Sequence, residues 1–469
     1  MSFASLIQRT ADAVFMPWMV ACLLLAGTYI TVRLRFVQVR RLGEAFRTTI
    51  ASQQAGAGGA LTPLQAFMTA LAASIGTGNI AGVATAIISG GPGALFWIWL
   101  YGFFATAIKF SEAVLGVKYR EVRGEQVSSG PMYYLRDGLR SPALAWLYAL
   151  VAGVGALTTT PFTQPNSIAL VLNSQFGMPK VAAGLAIAVL TALVIIGGVK
   201  SIGRAAQRLS PLKVGLYLVG GLIVIGANVD RIPEVLATVF REAFTLRAAG
   251  GTAAGMGVIV ALRYGLARGI YANEAGYGTA AVVYGTAKSE RPEQQGLNAV
   301  MEVFIISFVT STISAMTILL SGVAEQSIAA IRAGAEGVTS TAAVAAAFNT
   351  VMPTVGGWVV AFCVFLFGYT TLIGWAYYGE QFLEYILFRK AAADDPAVAR
   401  RKHGFRMTYR VVYCLLIPFG AMTRVEVVWA WGDLMNGLQV FPNLIGLVGL
   451  SGVAAAIARR VGGSGVARA

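Results

Sequence analysis

Ser74 to Gly82 reads SIGTGNIAG, inside an apolar run long enough to cross a membrane. Three glycines, a threonine and an asparagine fall where such a helix should be most regular. In hydrocarbon each unpaired backbone group costs several kcal/mol, so a broken helix persists only where protein or a wet cavity meets its free groups. The alternative, close helix packing on small residues, leaves Thr77 and Asn79 unexplained. Gly76, Thr77, Gly78 and Asn79 therefore read as an unwound segment. A second cluster, NEAGYG at 273–278, places Asn273, Glu274, Ala275 and Gly276 inside another apolar run.

An unwound helix middle offers free N–H groups on one side and free C=O groups on the other. The N–H end attracts a carboxylate, as helix N-termini do. The C=O end attracts an amine or a bare cation. Thr77 and Asn79 add side-chain oxygens, the hard ligands that sodium takes. This chemistry suits a zwitterionic amino acid with sodium better than a sugar or a lipid. Thr370 and Thr371 stand side by side in FLFGYTTLIGWAYYGEQ (365–381) and can complete a cation shell. Hydroxyls bonded back to their own helix are the competing reading. Gln164 and Asn166 lie mid-span beside Pro161 and Pro165 and are expected to face a cavity. Trp375 is large enough to cap a small pocket. Lys109 and Glu112 are spaced to pair with each other, and Glu274, Arg263 and Arg268 are intramembrane charges, functional candidates by default.

The elements that would hold these residues are membrane helices. The chain has 469 residues, 57% hydrophobic and only 12% charged, against about 25% charged in a soluble domain. Apolar runs of about 20 residues, enough to cross a bilayer, recur along the whole chain. Eleven spans are expected, at roughly 14–32, 64–89, 94–117, 143–174, 181–198, 212–228, 253–285, 297–321, 354–388, 409–423 and 434–458. The net charge of +15 is gathered in alternate loops, among them one at 199–211 whose basic cluster is counted to include Lys213. That is the positive-inside pattern rather than a nucleic-acid surface, so the N-terminus is expected outside and the C-terminus in the cytoplasm. Cys22, Cys363 and Cys414 lie in spans, and the single histidine, His403, lies in a loop. Neither a metal-ligand cluster nor a nucleophile–base pair suggests an enzyme, and no cofactor is expected. The segment 130–139 is expected to lie on the inner surface, and 324–352 to form one or two helices over the outer mouth.

Five spans separate the start of the first interrupted helix from the start of the second. Five is odd, so the two cross in opposite directions. Interrupted helices at matching positions of two inverted halves point to a transporter binding site.

GTGNIAGVATAI (76–87), GGPGALFWIW (90–99), KFSEAVLGVKYRE (109–121), RGIYANEAGYG (268–278), GWAYYGEQ (374–381) and VVWAWGDLMNGLQVFPNL (427–444) together resemble the alanine/glycine:cation symporter family. The resemblance implies an all-α integral membrane protein of LeuT-type fold: an extra N-terminal helix and basic loop (1–50), then inverted five-helix repeats at 51–230 and 231–469. It implies sodium-coupled uptake of alanine or glycine across the plasma (inner) membrane, or proton-coupled uptake in some members. It implies an amino acid held by Gly76, Thr77, Gly78, Asn79, Gln164, Asn273 to Gly276 and Trp375. It also implies a sodium between the carbonyls of Ala72 and Ile75 and the hydroxyls of Thr370 and Thr371. The chain departs from the family pattern at Pro161, Pro165 and VVYGTA, and at Ile306, where an aspartate is frequent. A passive facilitator, which would work without a cation gradient, and a sensor that binds without moving its ligand are the rival readings.

Overall fold

A computed structural model describes residues 10, 18–51, 58–123, 126–244, 256–389 and 395–460. The expected starts of the first span (14–17) and of the seventh (253–255) lie outside these residues, as do Lys390 and the tail with Arg468.

The described chain is almost wholly helical. Helix α1 (Val20–Arg33) and the amphipathic α2 (Leu42–Ile50) precede α3 (Pro63–Ser74). TPLQ starts α3 as its chemistry requires. Thr62 Oγ1 accepts from Gln65 N (3.2 Å), Gln65 Oε1 accepts from Thr62 N (3.1 Å), and Pro63 needs no donor at the first position. After a break come α4 (Ala81–Gly90) and α5 (Ala94–Lys118). Helices α6 (Pro142–Thr158) and α7 (Thr160–Phe176) run on from one another, followed by α8 (Lys180–Ile195), α9 (Gly198–Gly226) and α10 (Ile232–Phe244). The second half has α11 (Met256–Asn273), a second break, α12 (Thr279–Gly285) and α13 (Pro292–Val303). A π-helical stretch, Phe304–Thr310, joins α13 to α14 (Ser311–Leu320). Then come α15 (Val323–Arg332), α16 (Ser340–Asn349), α17 (Val355–Phe388), α18 (Pro396–Met422), α19 (Val425–Gly449) and α20 (Ser451–Arg460). One short hairpin, Glu121–Arg123 with Gln126–Ser128, is the only sheet among the described residues.

Five helices are long and apolar enough to cross a bilayer, or up to seven if each of two bent pairs counts as one span. The chain is thus a multi-pass membrane protein. Its centre is α17, packed against α6, α7, α9 and α16. The two broken helices cross: α3 packs against α12, and α4 against α11.

Three expectations need correction. The basic stretch 199–211 is not a loop; α9 runs through it. Much of 389–408 is likewise helical from Pro396, where Asp395 caps the first turn. Loop composition was read from charge, but long basic side chains can lie along a helix and reach water with their tips. The segment 130–139 is not a surface helix along its first half. Met132, Tyr134 and Leu135 are fully buried, because Pro131 and Tyr134 pack beneath the second break and α19. The segment 324–352, expected over the outer mouth, forms two helices, α15 and α16, and α16 packs on α17 and α4.

Candidate functional site

The first break lies where the glycines stand. Helix α3 ends at Ser74, Gly76 is extended, Thr77–Asn79 make one 3-10 turn, and α4 sets off at 63° to α3. Both glycines are required by packing. A Cβ on Gly76 would lie 2.7 Å from Thr371 Oγ1, and one on Gly78 2.6 Å from the Tyr271 ring. The second break follows Asn273. Glu274, Gly276 and Gly278 take φ of 54°, 93° and 84°, the left-handed region that glycine tolerates and glutamate rarely enters.

Between the breaks lies a small polar cavity. It is lined by Ser74, Gly76, Gly78, Asn79, Thr159, Thr160 and Gln164, and by Tyr271, Glu274, Tyr277, Thr371, Trp375 and Asn436. Glu274 is the single charged residue of this lining. Its Oε1 accepts from Trp375 Nε1 (2.7 Å) and its Oε2 from Thr279 Oγ1 (3.2 Å). Two buried lining atoms, Asn79 Oδ1 and Tyr277 Oη, have no partner among the described residues. An orphaned acceptor and hydroxyl beside a carboxylate are what a bound polar ligand would satisfy.

The expected site residues divide into two groups. Gly76, Gly78, Asn79, Gln164, Thr371 and Trp375 line the cavity. Thr77 turns to Gln164, whose Oε1 accepts from Thr77 N (3.2 Å) and Thr77 Oγ1 (3.0 Å) and so holds the break open. The second break is satisfied from within the protein. Asn273 donates to Gly269 O and accepts from Ser307 Oγ. Ala275 O accepts from Tyr101 Oη (3.0 Å). Gly276 N (2.9 Å) and Gly278 N (3.0 Å) donate to Glu112 Oε1, and Asn443 Nδ2 bridges Gly276 O and Glu112. A carboxylate of the protein thus takes the place at this break that a substrate carboxylate was expected to fill. Asn166 faces away from the cavity and donates to Gly420 O and Thr423 O (2.7 Å) instead.

The expected cation oxygens hold an ammonium. Lys213 Nζ donates to Ala72 O (3.0 Å), Ile75 O (2.6 Å) and Thr370 Oγ1 (2.6 Å). Thr371 Oγ1 donates to Ala72 O (3.3 Å) and faces the cavity. Lys213 was assigned to the cytoplasmic cluster; in the fold it is fully buried in α9. Its position inside the expected span 212–228 was the available signal.

Lys109 and Glu112 do not pair. Lys109 instead forms a buried ion pair with Glu302 of α13, joined by Ser74 Oγ and Tyr284 Oη. Arg268 does not bridge to Glu274; its guanidinium lies 5.1 Å from the centre of the Trp429 ring. Among the described residues no cluster of His, Cys, Asp or Glu could hold a metal ion.

Two interrupted helices crossing at a small polar cavity are the arrangement of a secondary transporter. The solved structures agree on the fold. MhsT in complex with L-phenylalanine superposes with a TM-score of 0.57 at 14% identity, covering 86% of this chain and 99% of that one. A Na+-coupled sialic acid symporter superposes at 0.55 with 15% identity, covering 88% and 82%. These are LeuT-type folds. The chain belongs to the sodium:alanine symporter family, whose model matches residues 1–461. It is 36% identical to the sodium/alanine symporter AgcS of Methanococcus maripaludis over 97% of this chain and 96% of that one. It is 33% identical to the putative sodium/proton-dependent alanine carrier YrbD of Bacillus subtilis, over 90% and 85%. It is 32% identical to the probable sodium/glutamine symporter GlnT of the same organism, over 94% and 87%. It is a transporter and not an enzyme.

Proposed function

We propose that this protein imports a small neutral amino acid, alanine or glycine, together with sodium, by alternating access. One observation carries the reading: the cavity between the breaks is lined by a single charge, that of Glu274. A neutral amino acid adds no net charge, so a cation must enter with it to balance the carboxylate. The amino acid lies along Gly76 and Gly78, with Gln164 and Trp375 as walls. Its ammonium faces Glu274, and the rings of Tyr271, Tyr277 and Trp375 favour a small side chain. Sodium meets Asn79 Oδ1 and the Thr371 hydroxyl, the two members of the expected cation set that reach the cavity. Joint occupancy stabilises the closed state over the open ones, which requires differential affinity for those states. The names of AgcS and GlnT support sodium as the partner.

Proton coupling is the second reading, favoured by Lys213. Ala72, Ile75 and Thr370 already hold its ammonium, so a sodium bound there has no place, and a proton on Glu274 would balance the same charge.

The architecture that goes with this function has eleven spans: one extra helix (1–50) and inverted halves at 51–230 and 231–469. The N-terminus lies outside and the C-terminus in the cytoplasm, in the plasma (inner) membrane. The antiparallel crossing of the broken helices and the one-sided basic residues support it. Counterflow in proteoliposomes loaded with alanine, scanned over small amino acids with sodium, lithium or a pH gradient, tests the reading. Exchange of alanine or glycine that needs a cation is expected; exchange indifferent to every cation would mean a facilitator.

A further inference from the structure

Lys213 has the bonding of a bound metal cation rather than of an ion-paired lysine. It sits in α9 two residues after Pro211, a proline within the helix, and is fully enclosed. Its three donors meet three oxygens: Ala72 O and Ile75 O at the C-terminal end of α3, and Thr370 Oγ1 of α17. An ammonium has three donors and no acceptor, so this set satisfies it completely. Among the described residues no carboxylate lies within ion-pair distance of it. The negative end of the α3 dipole and the face of Phe367, 5.2 Å away, supply the remaining stabilisation. Two carbonyls and a hydroxyl converging at a helix C-terminus are equally the ligands of a hard monovalent ion. A buried charge without such partners would be strongly unfavourable.

We propose that Lys213 is a tethered substitute for a coupling ion at this position. The protein then moves no cation through the Ala72–Ile75–Thr370 site, and this residue determines how many ions travel with each amino acid. The proposal rests on the symporter reading above and deepens it. A charge fixed to the chain ties α3, α9 and α17 together as a bound ion would, but it cannot leave and so dissipates no gradient. One transported cation, at Asn79 and Thr371, then remains, against two if a sodium also stood in place of Lys213.

The test uses purified full-length protein and the variants Lys213→Ala and Lys213→Met. Alanine leaves room among the three oxygens. Methionine keeps most of the bulk, carries no charge and is flexible enough to withdraw. Thermal unfolding is followed in sodium chloride against choline chloride at constant ionic strength, without amino acid. Both variants are expected to gain a sodium-dependent rise of a few degrees beyond any shown by the native protein. Adding Thr370→Val is expected to abolish the gain, placing the ion at these oxygens. A sodium response identical to that of the native protein in both variants overturns the proposal. A measurement on the native protein keeps the test independent of whether the variants fold. Reversal potentials in proteoliposomes are expected to give one cation per alanine, and two would overturn the assignment. Failure of the symporter reading is distinguishable, since it would show as no alanine movement at all, while the sodium response of the variants needs no transport.

Discussion

Glu274→Gln removes the charge from the cavity and little else. The side chain keeps its size. Its amide oxygen can retain the bond from Trp375 Nε1, now 2.7 Å from Oε1, and its new N–H₂ can face Thr279 Oγ1, now 3.2 Å from Oε2. The threonine hydroxyl accepts as well as donates, so the second break should stand. What is lost is the charge that an entering cation meets. A sodium ion makes no hydrogen bond, so the loss is coulombic: a unit charge roughly 10 Å away at an effective dielectric of about 20 contributes about 1.7 kcal/mol more than a neutral amide. A difference of about 1–2 kcal/mol corresponds to roughly a 5- to 30-fold change in an equilibrium constant. The assay is alanine uptake into proteoliposomes as a function of cation concentration at saturating alanine. The half-saturating cation concentration is expected to rise by that factor, with the maximal rate reduced far less and the unfolding temperature nearly unchanged. A half-saturating value within about twofold of the native one would refute the claim that Glu274 is the charge the coupling cation balances.

Three further substitutions probe the frame around that charge. Gly76→Ala puts a Cβ 2.7 Å from Thr371 Oγ1 and 3.2 Å from Gln164 Oε1; transport is expected to be lost in a chain that still elutes as a folded monodisperse species, and native uptake would show that the break is loosely packed. Gln164→Ala leaves Thr77 N and its hydroxyl without their acceptor, at a cost of about 1–3 kcal/mol for a buried unsatisfied donor. Alanine affinity is expected to fall about tenfold or more, with Gln164→Glu restoring part of it; an unchanged affinity would remove Gln164 from the wall of the site. Glu302→Gln strands Lys109 as an uncompensated buried charge, which costs about 3–5 kcal/mol, so a sharply lowered unfolding temperature is expected, and a change of under a degree would mean the Lys109–Glu302 pair does not anchor α5 to α13.

The breaks were legible because a glycine–asparagine cluster in an apolar run is costly in a lipid-facing helix, and the cost has few explanations. What stayed hidden is who satisfies the opened backbone. The partners of the second break, Glu112, Tyr101 and Asn443, come from helices more than 160 residues away in the chain. The resemblance implied that Ala275 and Gly276 would hold the ligand, whereas Ala275 O, Gly276 N and Gly276 O are bonded within the protein. Lys109 shows the same limit: Glu112 is its neighbour on one helix, yet Glu302, 193 residues on, is its partner. Lys213 was hidden by its company, counted with Lys200, Arg204 and Arg208 because they share a basic stretch. One turn beyond Arg208 α9 has already entered the protein interior, where Ser210 and Lys213 are fully buried.

The central claim is that a neutral amino acid and a cation share one cavity and move together. Accumulation of radiolabelled alanine in proteoliposomes carrying an inward sodium gradient, with a proton gradient as the parallel arm, tests it most directly. A transient internal alanine concentration above the external one, abolished when the driving gradient is collapsed, is the predicted result. Alanine that only equilibrates, at the same rate with or without either gradient, would contradict it.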